Sequence, residues 1–266
     1  MNKHALQVRQ ICAGYDGSDV LHQITFALKA GEVLAVLGPN GSGKSTLLEI
    51  LAGQRRPQTG TVRLNGLSLY ERQSRLAPLI SFMPQEEALS AQLNSREHLA
   101  HACAIRRPHL TKSSIQKRVN HLLDILGLSH VSERQVGSAD SKSLSGGERS
   151  RLNAGLDLIG GGEIFLFDEP ISGLSSKDAE HVVTSLKDLA KDKIVIASLH
   201  RPSEKVLESF DRVLLLDRGG KMAFFGPPAD TITYFEEANK EHNIRGLSHS
   251  SSKEQTGADF VFDILE

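Results

Sequence analysis

An α/β fold built on a mainly parallel sheet is predicted for this chain by three observations. Val33–Leu37 (VLAVL) and Ile164–Phe167 (IFLF) are short, unbroken apolar runs, the mark of strands buried on both faces. Each run delivers its end to a loop that can carry chemistry, glycine-rich after the first and acidic after the second. Helical patterns separate such runs, as in right-handed crossover units.

Taken in order, residues 45–51 hold good helix formers, and Ala52-Gly53 followed by Pro57 supplies a stop, so a helix follows the first strand and its loop. Between residues 89 and 141 the apolar spacing turns helical, notably at Val119, Leu122, Leu123 and Leu126, with no strong strand pattern. This stretch reads as a helical insertion. After Ile164–Phe167, a helical pattern over residues 176–190 leads to another buried strand, Ile194–Ser198, and residues 213–216 read as a fourth. Residues 238–257 are polar and read as a linker before the apolar FVFDIL. No internal repeat is evident.

With 266 residues, 39% hydrophobic and 24% charged, the chain can bury one substantial core and a smaller appended subdomain. Its 31 Lys and Arg balance 32 Asp and Glu, so no basic excess argues for a nucleic-acid partner. Cys12 and Cys103 form no metal-spaced pair and read as buried thiols of a reduced, cytosolic protein. The longest apolar runs are strand-length and the start MNKHALQVRQ lacks a signal-peptide core, so any membrane role is expected to need another polypeptide segment.

The sequence GPNGSGKS, from Gly38 to Ser45, matches G-x-x-x-x-G-K-[ST] between a predicted strand and a predicted helix. Phosphate oxygens need many donors at close range. Gly38, Gly41 and Gly43 let backbone N–H groups converge, with Asn40 in the same loop, and the helix start adds partial positive charge. Lys44 is expected to reach the β- and γ-phosphates, Ser45 to offer its hydroxyl to Mg²⁺, and Thr46 to assist at the α- or β-phosphate. The run Ile164–Phe167 ends in Asp168 and Glu169, which places Asp168 to orient the Mg²⁺ hydration shell and leaves Glu169 for the attacking water. In Leu144-Ser-Gly-Gly-Glu148, Ser145, Gly146 and Gly147 form a second donor-rich helix start able to receive an anion. His98, His101 and Cys103 fall on a predicted helix and are assigned no metal.

The phosphate loop, LSGGE, FLFDEP and His200 occur together in the order and spacing of the ABC ATPase family, and the resemblance covers residues 5–235. It implies a RecA-like P-loop NTPase core over 1–88 and 142–235, an N-terminal antiparallel β portion, an inserted α-helical subdomain over 89–141 and a tail over 236–266. By motif, Tyr15 resembles the aromatic that stacks on adenine, Gln85 the glutamine that senses Mg²⁺ and the membrane domain, and His200 the histidine that contacts the γ-phosphate. The stretches SGGERSRLNAGLDLI, SLHRPSEKVLESFDRVLLL, GKMAFFGPPADTITYFE and GADFVFDIL resemble the G (White-type) subfamily, whose nucleotide-binding domain precedes a transmembrane domain. The chain is therefore expected to act on the transmembrane domain of an exporter, either in cis, as the N-terminal piece of a longer protein, or as a stand-alone subunit beside a separate one.

The resemblance implies two copies sandwiching two ATP molecules at the cytoplasmic face of a membrane partner, each ATP between one copy's phosphate loop and the other's Ser145, Gly146 and Gly147. One departure stands out. The family's SGLD reads Ser172-Gly-Leu-Ser175 here, which removes a carboxylate expected to cross the dimer. The alternative from another class, a soluble ABC ATPase of DNA repair or translation, is opposed by the lack of long heptad insertions and of a tandem second domain. A non-catalytic regulatory fold is disfavoured by intact Lys44, Asp168, Glu169 and His200.

Overall fold

The structure, a computed structural model, describes residues 5–15, 18–84, 89–137, 143–231, 233 and 234. The expectations for Gln85 and for the tail over 236–266 lie outside the described residues.

Strands β1 (Ala5–Tyr15) and β2 (Ser18–Lys29) pair antiparallel, and β3 (Val33–Leu37) then runs through the glycine-rich loop into helix α1 (Lys44–Leu51). Strands β4 (Thr59–Leu64) and β5 (Leu67–Ser68) return to the first sheet, whose order is β2-β1-β4-β5. Next come α2 (Gln73–Leu76), β6 (Ile80–Met83), α3 (Ser95–Arg106), α4 (Lys112–Ile125) and α5 (Gly146–Leu158). The chain continues through β7 (Ile164–Phe167), α6 (Ser176–Leu189), β8 (Ile194–Ser198), α7 (Glu204–Leu207), β9 (Arg212–Leu216) and β10 (Met222–Gly226). The second sheet has the order β10-β9-β3-β8-β7-β6 and is parallel except for β10.

That second sheet is a central layer, and the period-two alternation of its strands divides the core. Val33, Ala35 and Leu37 of β3 join Phe165, Phe167, Val195 and Ala197 in a cluster with the helices of the α3 to α6 region. Leu34 and Val36 join Ile164, Leu166, Ile194 and Ile196 in a cluster with α1 and the antiparallel sheet. Burial on both faces explains why β3, β7 and β8 are unbroken apolar runs. Each fully buried aliphatic or phenylalanine side chain here contributes about 1.5–3 kcal/mol relative to its exposed state.

Capping fixes the helices of the insertion. Asn94 and Glu97 make a reciprocal capping box at the start of α3, and Thr111 caps α4. Arginines then tie the insertion to the core: Arg107 Nε donates to the Gly160 carbonyl (2.7 Å) and Arg118 Nε to that of Ile159 (2.9 Å), covering carbonyls at the C-terminal end of α5.

The structure revises some details of the sequence reading. Helix α1 begins at Lys44, one residue earlier than expected, because Gly43 at φ 92° turns the chain directly into it. Strand β9 likewise starts one residue early, at Arg212. Cys103 is buried, but Cys12 is only half-buried, its Sγ accepting from the Gln23 N–H where β1 and β2 bulge. His98 uses both ring nitrogens locally, Nε2 accepting from the Ser90 N–H (2.8 Å) and Nδ1 facing the Asn94 carbonyl (3.0 Å). Among the described residues no helix is long and apolar enough to cross a membrane.

Candidate functional site

Strands β3, β8 and β7 are neighbours and parallel, so the loops after them leave the same edge of the sheet. The first carries Gly38 to Gly43, the second His200, and the third Asp168 and Glu169. This is the crevice at the carboxyl ends of the strands where open α/β sheets bind ligands. A cavity of about 950 Å³ lies there, lined among others by Tyr15, Asn40, Gly41, Gly43, Lys44, Ser45, Thr46, Glu169 and His200. Nine residues singled out from the sequence thus share one cavity, of the size small-molecule sites have.

The loop has the build of an anion cradle. A Cβ on Gly38 would come within 2.6 Å of the Leu216 carbonyl oxygen and of Ser42 Oγ, and one on Gly43 within 2.6 Å of Leu21, so neither position admits a side chain. Helix α1 starts without a side-chain cap and has no acidic residue in its first turn, which leaves its leading N–H groups and their partial positive charge unspent. Lys44 is buried, with Nζ donating to the carbonyls of Gly38 (2.8 Å) and Pro39 (3.0 Å). Burial lowers its pKa, while the nearby charges of Glu169 and Asp168 act in the opposite direction. Ser45 is exposed at the cavity. These donors fit a polyphosphate, and an open Ser45 hydroxyl in a cavity that Glu169 also lines fits a hard divalent cation.

Asp168 is buried and does not line the large cavity. It faces a smaller one, of about 340 Å³, together with Met83, Gly146 and Glu169. The Ser198 hydroxyl donates to Asp168 Oδ1 (2.5 Å) and accepts from the Glu169 N–H (2.9 Å). Glu169 has φ 51° and Arg201 φ 43°, so left-handed non-glycine residues sit just beyond both β7 and β8 at the crevice.

Tyr15 is 43% exposed. Its hydroxyl lies 3.4 Å from Thr46 Oγ1 and from Glu49 Oε2, and the Arg55 guanidinium, paired to Glu49 at 3.1 Å, stacks 3.8 Å from its ring centroid. Ser145 and Gly147 line neither cavity. Ser145 Oγ accepts from the Glu148 N–H (3.2 Å) and Glu148 Oε2 from the Ser145 N–H (2.7 Å), a closed capping box on α5. Burial alone would raise the Glu148 pKa, but the bonds from Ser145 and His130 outweigh it and hold it below the usual value. Ser175 is the N-cap of α6, its Oγ accepting from the Asp178 N–H and donating to Asp178 Oδ2 (2.8 Å).

Sequence reasoning missed Ser42, Ser198 and Arg55. Ser42 stands at a variable position of the loop motif, and its Oγ is buried without a hydrogen-bond partner among the described residues. Ser198 and Arg55 had no local signal for their place at the site, since Asp168 and Tyr15 lie 30 and 40 residues away from them in the chain.

Comparison with known proteins agrees with this geometry. The family model described as ABC transporter matches residues 21–172, more than half of the chain. The chain belongs to the ABC transporter family. Within it, the chain is 42% identical to ABC transporter G family member 17 of Arabidopsis thaliana, over 82% of this chain and 33% of that protein. It is 36% identical to G family member 16 of the same plant, over 92% of this chain and 32% of that one, and 37% identical to the ABC-type transporter claG of Penicillium crustosum, over 79% and 28%. The chain thus spans about a third of the length of the curated relatives it matches. It is an ATP-binding domain of this ABC family, similar to the G-family members.

Proposed function

We propose that this chain binds and hydrolyses ATP to drive a transmembrane domain of a White-type exporter, working as an ATP-dependent dimer at the cytoplasmic face of the membrane. The observation that carries the reading is the shared cavity, where an uncapped helix start, a buried lysine, a carboxylate and a histidine meet at the ends of three parallel strands. The DNA-repair and translation alternative draws no support from the relatives described, which are named as transporters.

In this reading Tyr15 stacks on the adenine, with Arg55 against its ring. The loop amides from Gly38 to Thr46, Asn40 and Lys44 neutralise the phosphates. Glu169 accepts a proton from the attacking water as the water oxygen bonds to the γ-phosphorus and the bond to the bridging oxygen breaks. His200 positions the γ-phosphate. Ser45, Asp168 and Gln85 are the residues to hold Mg²⁺, which when bound supplies charge neutralisation at the phosphates. Ser145, Gly146 and Gly147 serve the ATP of a second copy, and closing and opening of the pair moves the membrane domain. The substrate class follows the subfamily: a lipid or hydrophobic compound, carried outward.

Phosphate release by the purified chain with Mg-ATP tests this directly. Glu169→Gln is expected to retain ATP binding by calorimetry and to lose about 100-fold or more in kcat, since the cradle survives while the base is gone. An unimpaired kcat would remove Glu169 from the catalytic role.

A further inference from the structure

The catalytic pair of the proposed function is held by a side chain that no motif marks. Ser198, at the end of β8, is fully buried, and its one hydroxyl makes two bonds in series. Its proton goes to Asp168 Oδ1 (2.5 Å) and its oxygen receives the Glu169 N–H (2.9 Å). A hydroxyl is the smallest group able to donate and accept at once. Alanine could do neither, and the buried carboxylate oxygen and amide would each lose a partner.

Glu169 sits at φ 51°, a conformation that side-chain-bearing residues hold only where the surroundings impose it. The bond from its N–H to Ser198 restrains the peptide plane between Asp168 and Glu169. With that plane and the φ of 51° held, the Cα–Cβ bond of Glu169, a residue that lines the cavity, has a fixed direction. Ser198 also ends β8 two residues before His200, which lines the same cavity, so the hydroxyl ties the strand end that carries the histidine to both acids.

We infer that Ser198 is a positioning residue for ATP hydrolysis, locking Asp168 and Glu169 in register with the His200 loop through a single buried hydroxyl. It touches no substrate and acts through its two partners. The inference rests on the reading of Glu169 as the base. It separates orientation from affinity, because the hydroxyl bonds Asp168 and Glu169 whereas Lys44 Nζ bonds the carbonyls of Gly38 and Pro39.

The test measures kcat, calorimetric Mg-ATP affinity and thermal midpoint for the full chain, Ser198→Ala, Ser198→Cys, Ser198→Thr and Glu169→Gln. The Ala variant is expected to bind ATP within about threefold of the parent while kcat falls about 10-fold or more, a loss of the size one buried positioning bond can produce. Cys, a near-isostere with a weak donor, should lie between the two, and Thr, which keeps the hydroxyl, should recover most of the rate. A kcat within twofold of the parent in Ser198→Ala overturns the inference, as does a rate loss matched by an equal loss of affinity, which marks general distortion. If the Ala variant does not fold, the Cys variant decides by the same two criteria. Glu169→Gln separates the two levels: full activity there overturns the reading of the base itself, whereas its inactivation beside an active Ser198→Ala overturns the role of Ser198 alone.

Discussion

Helices α1 and α5 both begin at glycine-rich turns, yet their first backbone donors are in opposite states. At α1, Gly43 offers no side-chain cap, no acid occupies the first turn, and the helix start opens on the large cavity beside Lys44. At α5, Ser145 and Glu148 close a capping box, so the helix has already supplied its own anion. A helix start left uncapped at a cavity offers its N–H groups to an anion from within this chain. A self-capped one is stable alone, and its Ser145 is exposed and lines neither cavity of its own chain.

The sharpest way to break this contrast is at α1. Lys44→Ala removes the buried ammonium that now donates to two loop carbonyls, and the loss of one charge-assisted hydrogen bond to a phosphate, about 1.5–3 kcal/mol, makes the expected loss of ATP affinity about 10- to 150-fold. Calorimetry decides this, and unchanged affinity would mean that the backbone cradle alone binds the nucleotide.

At α5 the expected effect is on stability and depends on pH. The folded pKa of Glu148 lies below its ordinary value of 4.5, so its charged form stabilises the fold above that pH, and the contribution is lost as pH falls through the lower folded value. Glu148→Gln should therefore cost about 1 kcal/mol near neutral pH and progressively less in acid, read from urea midpoints across that range. A constant difference at all pH values would show that the box is held by shape rather than charge. No carboxylate of this kind caps α1, so Lys44→Ala should show no matching acid transition from a cap.

The smallest effect concerns Ser175. An aspartate there keeps the N-cap of α6 but sets a second carboxylate beside Asp178, so a stability cost below about 1 kcal/mol is expected. Against that, a charge facing a second copy should shift the plot of ATPase rate against protein concentration to lower concentration. Superimposable curves for Ser175→Asp and the parent would show that this position does not limit assembly.

How much of this was legible in the sequence follows from range. The β3–loop–α1 unit, β7 with its two acids and the helical spacing around Val119, Leu122 and Leu123 are local patterns, and the structure has them in place. The bulges that let β1 wrap on β2, with Gln10 and Gln23 at positive φ, depend on pairing between strands and leave no periodic trace. Ser198 read only as the last residue of an apolar run, because its partners belong to the neighbouring strand's loop. Ser175 read as a lost carboxylate, whereas its capping role appears once the start of α6 is fixed.

The central claim is that each hydrolytic site is split between α1 of one copy and α5 of another, and a mixing experiment tests it most directly. Lys44→Ala disables the first half. Ser145→Asp disables the second by placing charge at an exposed position that lines neither cavity of its own chain, and aspartate keeps the N-cap of α5, so the fold tolerates it. Each variant alone should be nearly inactive, while an equal mixture should recover about a quarter of the parental ATPase rate, since random pairing makes half of the dimers mixed and each mixed dimer holds one intact site. A mixture no more active than the mean of its two components, at any protein concentration that supports parental activity, would contradict the shared site.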